Sequence, residues 1–344
     1  MRTVWMLTGV LLVSACVEAQ NNYTVTNIVV NSQDPYLINP WGVSRPANPA
    51  AKENEWWVSD NVTGYSTLYY ANKSGAASLA PLLVTIPPAS GSGPGSPTGT
   101  AFNANNFAFA TLDGTISNWN ANTAPAQPGV ACAKCHVTSA TIMVNHAAAG
   151  ASYQGLTVAK NATSGAQTYY AANANGGVEA YDAVSFAPVT LPPGAFTDPK
   201  IPASYTPAGI QAIGSKIFVA YNLSTGGGTG FVDAYNTNGA LLLRLQYGWF
   251  NQPWGVAVAP ANFGQFSKAL LVGNTGSGWI GAYNPSNGKF LGFLQSGGAT
   301  IAIPGLWGLE FGNGNVESGP ANVLYFTAGG NDLTTGVFGA ISAN

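Results

Sequence analysis

Among the 344 residues one short motif stands out for its chemistry, Cys132-Ala133-Lys134-Cys135-His136. Two cysteines separated by two residues, with histidine directly after, form the attachment pattern of c-type haem. The two thiols would form thioethers to the porphyrin vinyl groups, and His136 would be the proximal iron ligand. Met143 and His146 follow as conceivable sixth ligands. Two other chemistries fit the same residues. Cys132 and Cys135 can close a local disulfide, strained and redox-labile at this spacing, or stay reduced. They can also join His136 around another metal, although the spacing is not that of a usual structural zinc site. No helical pattern surrounds the motif, so a haem here would sit in a Pro- and Ala-rich loop rather than in a helical wrap.

A second group consists of oxygen donors. Asp60, Asp113 and Asp332, with Asn61, Asn222, Asn274 and Asn331, each follow or end a β-rich run. A mixture of carboxylate and amide oxygens suits calcium, and Glu310 would add a further carboxylate. The same residue types are also what tight turns select, because their side chains bond nearby backbone. A third group is Trp41, Trp254 and Trp307, each beside a glycine. Such rings either wedge between sheets or form a rim that stacks on a sugar or another flat ligand. No G-x-S-x-G nucleophile elbow occurs. The run Gly91 to Gly99 leads into a strand with no Lys and no helix, so it is a loop between units and not a phosphate cradle.

The elements that position these groups are legible from a repeat. Pro-Trp-Gly-Val occurs at Pro40 and again at Pro253. A glycine followed by an apolar strand, with Pro or an aromatic close before it, recurs at Gly42, Gly99, Gly155, Gly209, Gly255 and Gly308. The spacings are 57, 56, 54, 46 and 53 residues. After each mark come a β-rich run ending in Asn, Asp or Gly, an element such as "VEAYD" or "VDAYN", and a closing strand. Tyr181, Tyr235 and Tyr283 recur in register and are expected in the core. The fourth strand of the third unit is expected at "APVTL". The sixth unit ends at Asn344 after three strands, and Tyr23 to Asn31 precedes the first mark unassigned. The expectation is an all-β, six-bladed β-propeller with four strands per blade, whose N-terminal strand completes the last blade and removes the open edges. Loops entering the innermost strands and turns after the second strands share one face. That axial face should collect the Trp, Asp and Asn residues above.

Only 7% of residues are charged, 11 basic against 13 acidic, which excludes a phosphate-binding field and hence nucleic acid as partner. Sheets buried on both faces account for the low charge. Residues 1–19 read as an export signal, one Arg followed by an apolar run too short to span a bilayer. Cleavage after Ala19 and lipidation at Cys16 are both open. In the first case residues 20–344 form one propeller domain. In the second the chain is an outer-membrane lipoprotein. No other window is apolar enough to span a membrane.

The segments "NPWGVS", "WWVSDN", "LDGTISNWN", "FTDPKIPASYTP", "QPWGVAVAPANFGQFSKALLVGN" and "IGAYNPSNGKFLG" resemble an exported bacterial family of uncharacterised, NHL-like β-propeller proteins, some with C-terminal PEP-CTERM sorting signals. The resemblance implies a propeller and export, periplasmic or extracellular, and no established activity. This chain ends at "GAISAN", so the sorting tail is not carried over. The expected role is a monomeric binding scaffold for an envelope or extracellular glycan or protein at the axial face. The alternatives are a redox protein with covalent haem c and a lactonase-like, metal-assisted hydrolase at the channel mouth.

Overall fold

A computed structural model describes residues 20–50, 54–71, 77–104, 106–126 and 136–344. Residues 1–19 with Cys16, and Cys132 and Cys135, lie outside the described residues. The chain is an all-β, six-bladed propeller of small antiparallel sheets.

Blade one runs Pro40–Ser44, Trp56–Asp60, Tyr65–Ala71 and Ala77–Thr85 from axis to rim. Blades two, four and five repeat this order from Pro97–Asn103, Tyr205–Ile213 and Pro253–Val258. Blade six is Leu306–Phe311, Leu324–Ala328 and Val337–Ala343, closed by the N-terminal strand Tyr23–Val30. The closure is antiparallel, with Tyr23 opposite Ala343 and Val30 opposite Val337. Six apolar layers, one between each pair of neighbouring blades, make the core of the described residues. The layer between blades one and two is typical: Trp57 stacks on Phe107 at 3.9 Å between ring centres, with Trp119 4.7 Å away. Each fully buried aromatic of this kind contributes about 1.5–3 kcal/mol.

Two blades depart from the expected four strands. In blade three, "APVTL" forms no regular strand, and only an isolated bridge joins Pro188 to Tyr181. Pro188, Pro192 and Pro193 remove ladder donors from this stretch, so it cannot pair along its length. Blade one gains a fifth strand. His136–Ser139 pairs in parallel with Ala77–Thr85, and the chain then crosses to blade two as Thr141–Asn145. The strand His136–Ser139 thus covers the rim of blade one.

The repeat glycine lies inside its strand rather than at its start, at or beside a register shift that recurs in all six blades. Two residues of the innermost strand there face one on the second strand, a bulge that re-aims the residue before the glycine. The glycines also meet one another's strands. A Cβ on Gly308 would stand 2.7 Å from the Trp41 carbonyl oxygen, and one on Gly155 would stand 2.8 Å from that of Ala208. Gly42, Gly99, Gly209 and Gly255 face the backbone of the next blade in the same way.

Two outcomes follow. Gly308→Ala should cost about 3 kcal/mol, read as a lower melting temperature, because the Trp41 carbonyl and the stiff, β-branched side chains of Val43 and Thr327 oppose the new methyl. Removing residues 20–30 should leave Val337–Ala343 as a bare edge, and size-exclusion chromatography should then show association instead of a single monodisperse species.

Candidate functional site

Innermost strands begin on one face of the ring, here called the entry face. The bulges there turn Trp41, Trp254 and Trp307, from blades one, five and six, onto the axis. The rings are 7%, 8% and 9% exposed and pack on one another. Trp41 and Trp307 stack at 3.7 Å between centres, and Trp254 meets each edge-on at 6.3 and 6.0 Å. They are neither wedges between blades nor an open rim; they plug one side of the channel mouth. Below the plug the axial channel narrows to a void of about 20 Å³, room for little more than one water.

Two of the indoles are held by hydrogen bonds, and the buried Trp41 Nε1 has no partner among the described residues. Trp307 Nε1 donates to Asn39 Oδ1 at 3.0 Å, and Trp254 Nε1 donates across the mouth to the Gln154 carbonyl at 3.2 Å. Asn39 and Gln252, each just before Pro-Trp-Gly, have φ of 47° and 55°. Left-handed backbone at a non-glycine residue costs of order 1–3 kcal/mol, and packing of the plug over-determines it.

Blades two, three and four carry Thr98, Gln154 and Ala208 where the others carry Trp. With smaller residues on that side, a cavity of about 240 Å³ opens against Trp254 and Trp307, flanked by Gln154, Thr206, Asn222, Gln252 and Thr275. No charged side chain lines it. The Asn222 side-chain oxygen is buried without a hydrogen-bond partner among the described residues. Of the residues singled out in the sequence, Asn222, Trp254 and Trp307 meet here. Gln154, Thr206, Gln252 and Thr275 were missed. The available signal was positional: Gln154 immediately precedes a repeat glycine, and Gln252 precedes Pro-Trp-Gly.

The expected carboxylate cluster does not form; among the described residues no three of His, Cys, Asp or Glu gather as metal ligands. Asp60 shares a strand face with Trp56 and Val58 and is fully buried towards blade six. Its Oδ2 accepts from the Thr67 backbone N–H at 3.1 Å, while Oδ1 has no partner. Burial pushes its carboxyl well above the usual range. Asn61 donates to the Pro97 carbonyl and accepts from Asn39, tying blade one to blade two. Asp113 accepts from the Ala89 and Ser96 N–H groups at 2.8 and 3.2 Å, shaping the loop between blades one and two. Asn274 holds its own turn through Asn251 and Trp279. Asn331 and Asp332 are exposed, and Asp332 accepts from Thr334 N–H. These residues serve turns and blade junctions.

Glu310 is at the opposite end of its innermost strand, 3.7 Å from Arg45. Its side chain keeps 24% exposure. Crowding by the surrounding strand ends still pushes the carboxyl up to about 7, against the opposing pull of Arg45. His136 is exposed where it opens the added strand of blade one. His146 lies ten residues along an extended run broken only at Ala140, on the order of 30 Å away at full extension. It is bonded into blade three instead, through Tyr153 and Tyr181, and Met143 points outward from the rim. The pairing of His136 with either as axial ligands is therefore not what the fold arranges. Tyr181, Tyr235 and Tyr283 are buried as expected.

No family model matches the chain. It is similar to two uncharacterised proteins of Acanthamoeba polyphaga mimivirus. One is 27% identical over 93% of this chain and 84% of the relative. The other is 29% identical over 93% of this chain and 79% of the relative. These relatives are viral and do not support the bacterial family expected above. Among solved structures, a glucose dehydrogenase superposes with a TM-score of 0.55 and 12% identity, over 93% of this chain and 100% of that one. At that identity the likeness concerns the fold alone.

Asp60 and Glu310 give the fold a definite pH response. Both have carboxyl pKa values raised above the unfolded chain, so their contribution is complete below about pH 4 and is lost as pH rises through the folded values. Melting temperature should fall between pH 5 and pH 8. Asp60→Asn should flatten that fall, since an amide keeps the Thr67 bond without an ionisable group. An unchanged slope in the variant would count against a buried, protonated Asp60.

Proposed function

We propose that the protein is an exported binding scaffold whose entry-face cavity takes a neutral glycan of the cell envelope or extracellular surroundings. The observation that carries this reading is the character of the cavity: indole surface on one side, amides and hydroxyls on the other, and no charge. Sugars present that combination, apolar C–H faces that stack on aromatic rings and hydroxyls that pair with amides. The orphaned Asn222 oxygen supplies an acceptor already desolvated and waiting for a donor, and leaving it unmade is costly. A volume of about 240 Å³ suits one or two sugar rings rather than a deep, enclosed substrate. The export part of the reading rests on residues 1–19. Among the described residues no helix is long and apolar enough to cross a membrane.

The test is a titration with oligosaccharides of glucose, N-acetylglucosamine and mannose, followed by intrinsic tryptophan fluorescence. Binding to at least one series is expected, weakened tenfold or more by Asn222→Ala with little change in melting temperature. Absence of any fluorescence or calorimetric response at millimolar sugar would sink the proposal. So would recovery of the expressed chain in the cytosol with residues 1–19 still attached.

A further inference from the structure

At the junction of blades two and three, four side chains converge outside the cavity, two of them core tyrosines whose hydroxyls face a histidine and a carboxylate. His146 comes from the loop entering blade three, Tyr153 from its innermost strand, and Glu179 and Tyr181 from its third strand. His146 Nδ1 stands 3.0 Å from Tyr153 Oη, 3.2 Å from Tyr181 Oη and 3.5 Å from Glu179 Oε2. The two phenol oxygens are 2.9 Å apart, and Tyr153 donates to Glu179 Oε2 at 2.7 Å. Tyr181 also donates to that oxygen in a short contact. Asn173 holds the other carboxylate oxygen at 2.7 Å, leaving Oε2 aimed into the group. Both tyrosines are buried, whereas the His146 side chain is 45% exposed and opens the group to the entry face.

The geometry points to a metal site for a hard trivalent cation, ferric iron, held by His146, Tyr153, Glu179 and Tyr181. The four donor atoms surround one point, and each has to move outward by about 0.3 Å to hold an ion with bonds of about 2.1 Å. Two phenolates and one carboxylate carry three negative charges, which balance a 3+ ion. The imidazole is the borderline donor that iron also accepts. Asn173 acts as an outer partner that orients the carboxylate.

The repeat itself isolates the site. The position of Glu179 is Thr67 in blade one, Ser117 in two, Asp233 in four, Gly281 in five and Gly339 in six. Only blade four has another carboxylate, and there Arg244 answers it: the guanidinium pairs with Asp198 beside Asp233. In blade three the only basic group on Glu179 among the described residues is His146. The cation that blade four carries in its own chain is the one that blade three would take from solution. Binding releases two protons, one from each phenol, to solvent, with the His146 Nδ1 lone pair turned inward, and no electron transfer is involved.

The test uses the full exported chain, stripped with chelator, mixed with ferric nitrilotriacetate and desalted. One retained iron per chain and a visible ferric–phenolate charge-transfer band are expected. Tyr153→Phe and Tyr181→Phe should weaken or remove the band. His146→Ala, at the open side, should lower iron affinity about tenfold with the metal-free melting temperature unchanged. Tyr235→Phe, the blade-four counterpart, should leave iron and band intact. No retained iron, retained iron without the band, or a band that survives both Tyr→Phe changes would overturn the assignment and leave a hydrogen-bonded cluster. The sugar titration reads a separate cavity, so either result can fail without the other.

Discussion

Around the axis, backbone meets backbone. Six innermost strands approach so closely that at each repeat glycine a methyl group would meet the main chain of the next blade. Glycine at this position is therefore a steric requirement of the ring. The bulge beside it follows from the same crowding, since the strand must bend away from the axis to continue beside its second strand. That bend sets the direction of the residue before the glycine. Where this residue is Trp, it fills the mouth; where it is Thr, Gln or Ala, space is left. The ring holds only if it closes, and the pairing of Tyr23–Val30 with Val337–Ala343 provides the closure.

A molecule built of sheets buried on both faces has few places for charge, and several of the polar groups it does bury hold blades in register. Asp34 accepts from Tyr69 at the entry to blade one, and Tyr221 and Tyr235 share a buried hydrogen bond in blade four. Thr98 donates to the Tyr153 carbonyl, and Thr327 to that of Trp41, each from one blade to the next. Such bonds add directional specificity to contacts that apolar layers make without direction. Sixfold architecture with unequal side chains then gives sites on one side of the ring only. The three Trp of blades five, six and one close their half of the mouth, and blades three and four carry the cavity and the His146 group.

Much of this was legible in the chain. Six glycine marks at spacings of 46 to 57 residues imply six units, and the unassigned strand at the beginning implies closure at the end. Both inferences hold because repetition is recorded locally: each blade carries the same glycine, and five of the six carry a buried aromatic at the same place in the third strand. The exceptions have local reasons too. Prolines at 188, 192 and 193 deny blade three a regular fourth strand. The strand His136–Ser139 was not foreseen, because pairing with Ala77–Thr85 is a contact between positions more than fifty residues apart with no turn to announce it.

The candidate sites were less legible. Asp60, Asp113, Asn61 and Asn274 were grouped because they end equivalent strands, and equivalence in a repeat fixes height along the axis but not direction towards it. Their turns absorb them. His146, Tyr153, Glu179 and Tyr181 drew no attention as a set, since they come from three separate segments of the chain. The amino-acid sequence by itself determined the blade count, the closure and the identity of the axial residues, because these depend on steric rules that act residue by residue. Only the tertiary structure decided that three tryptophans stack instead of lining a rim, where a cavity opens, and which donors converge. Those outcomes depend on distances between segments that the chain does not connect.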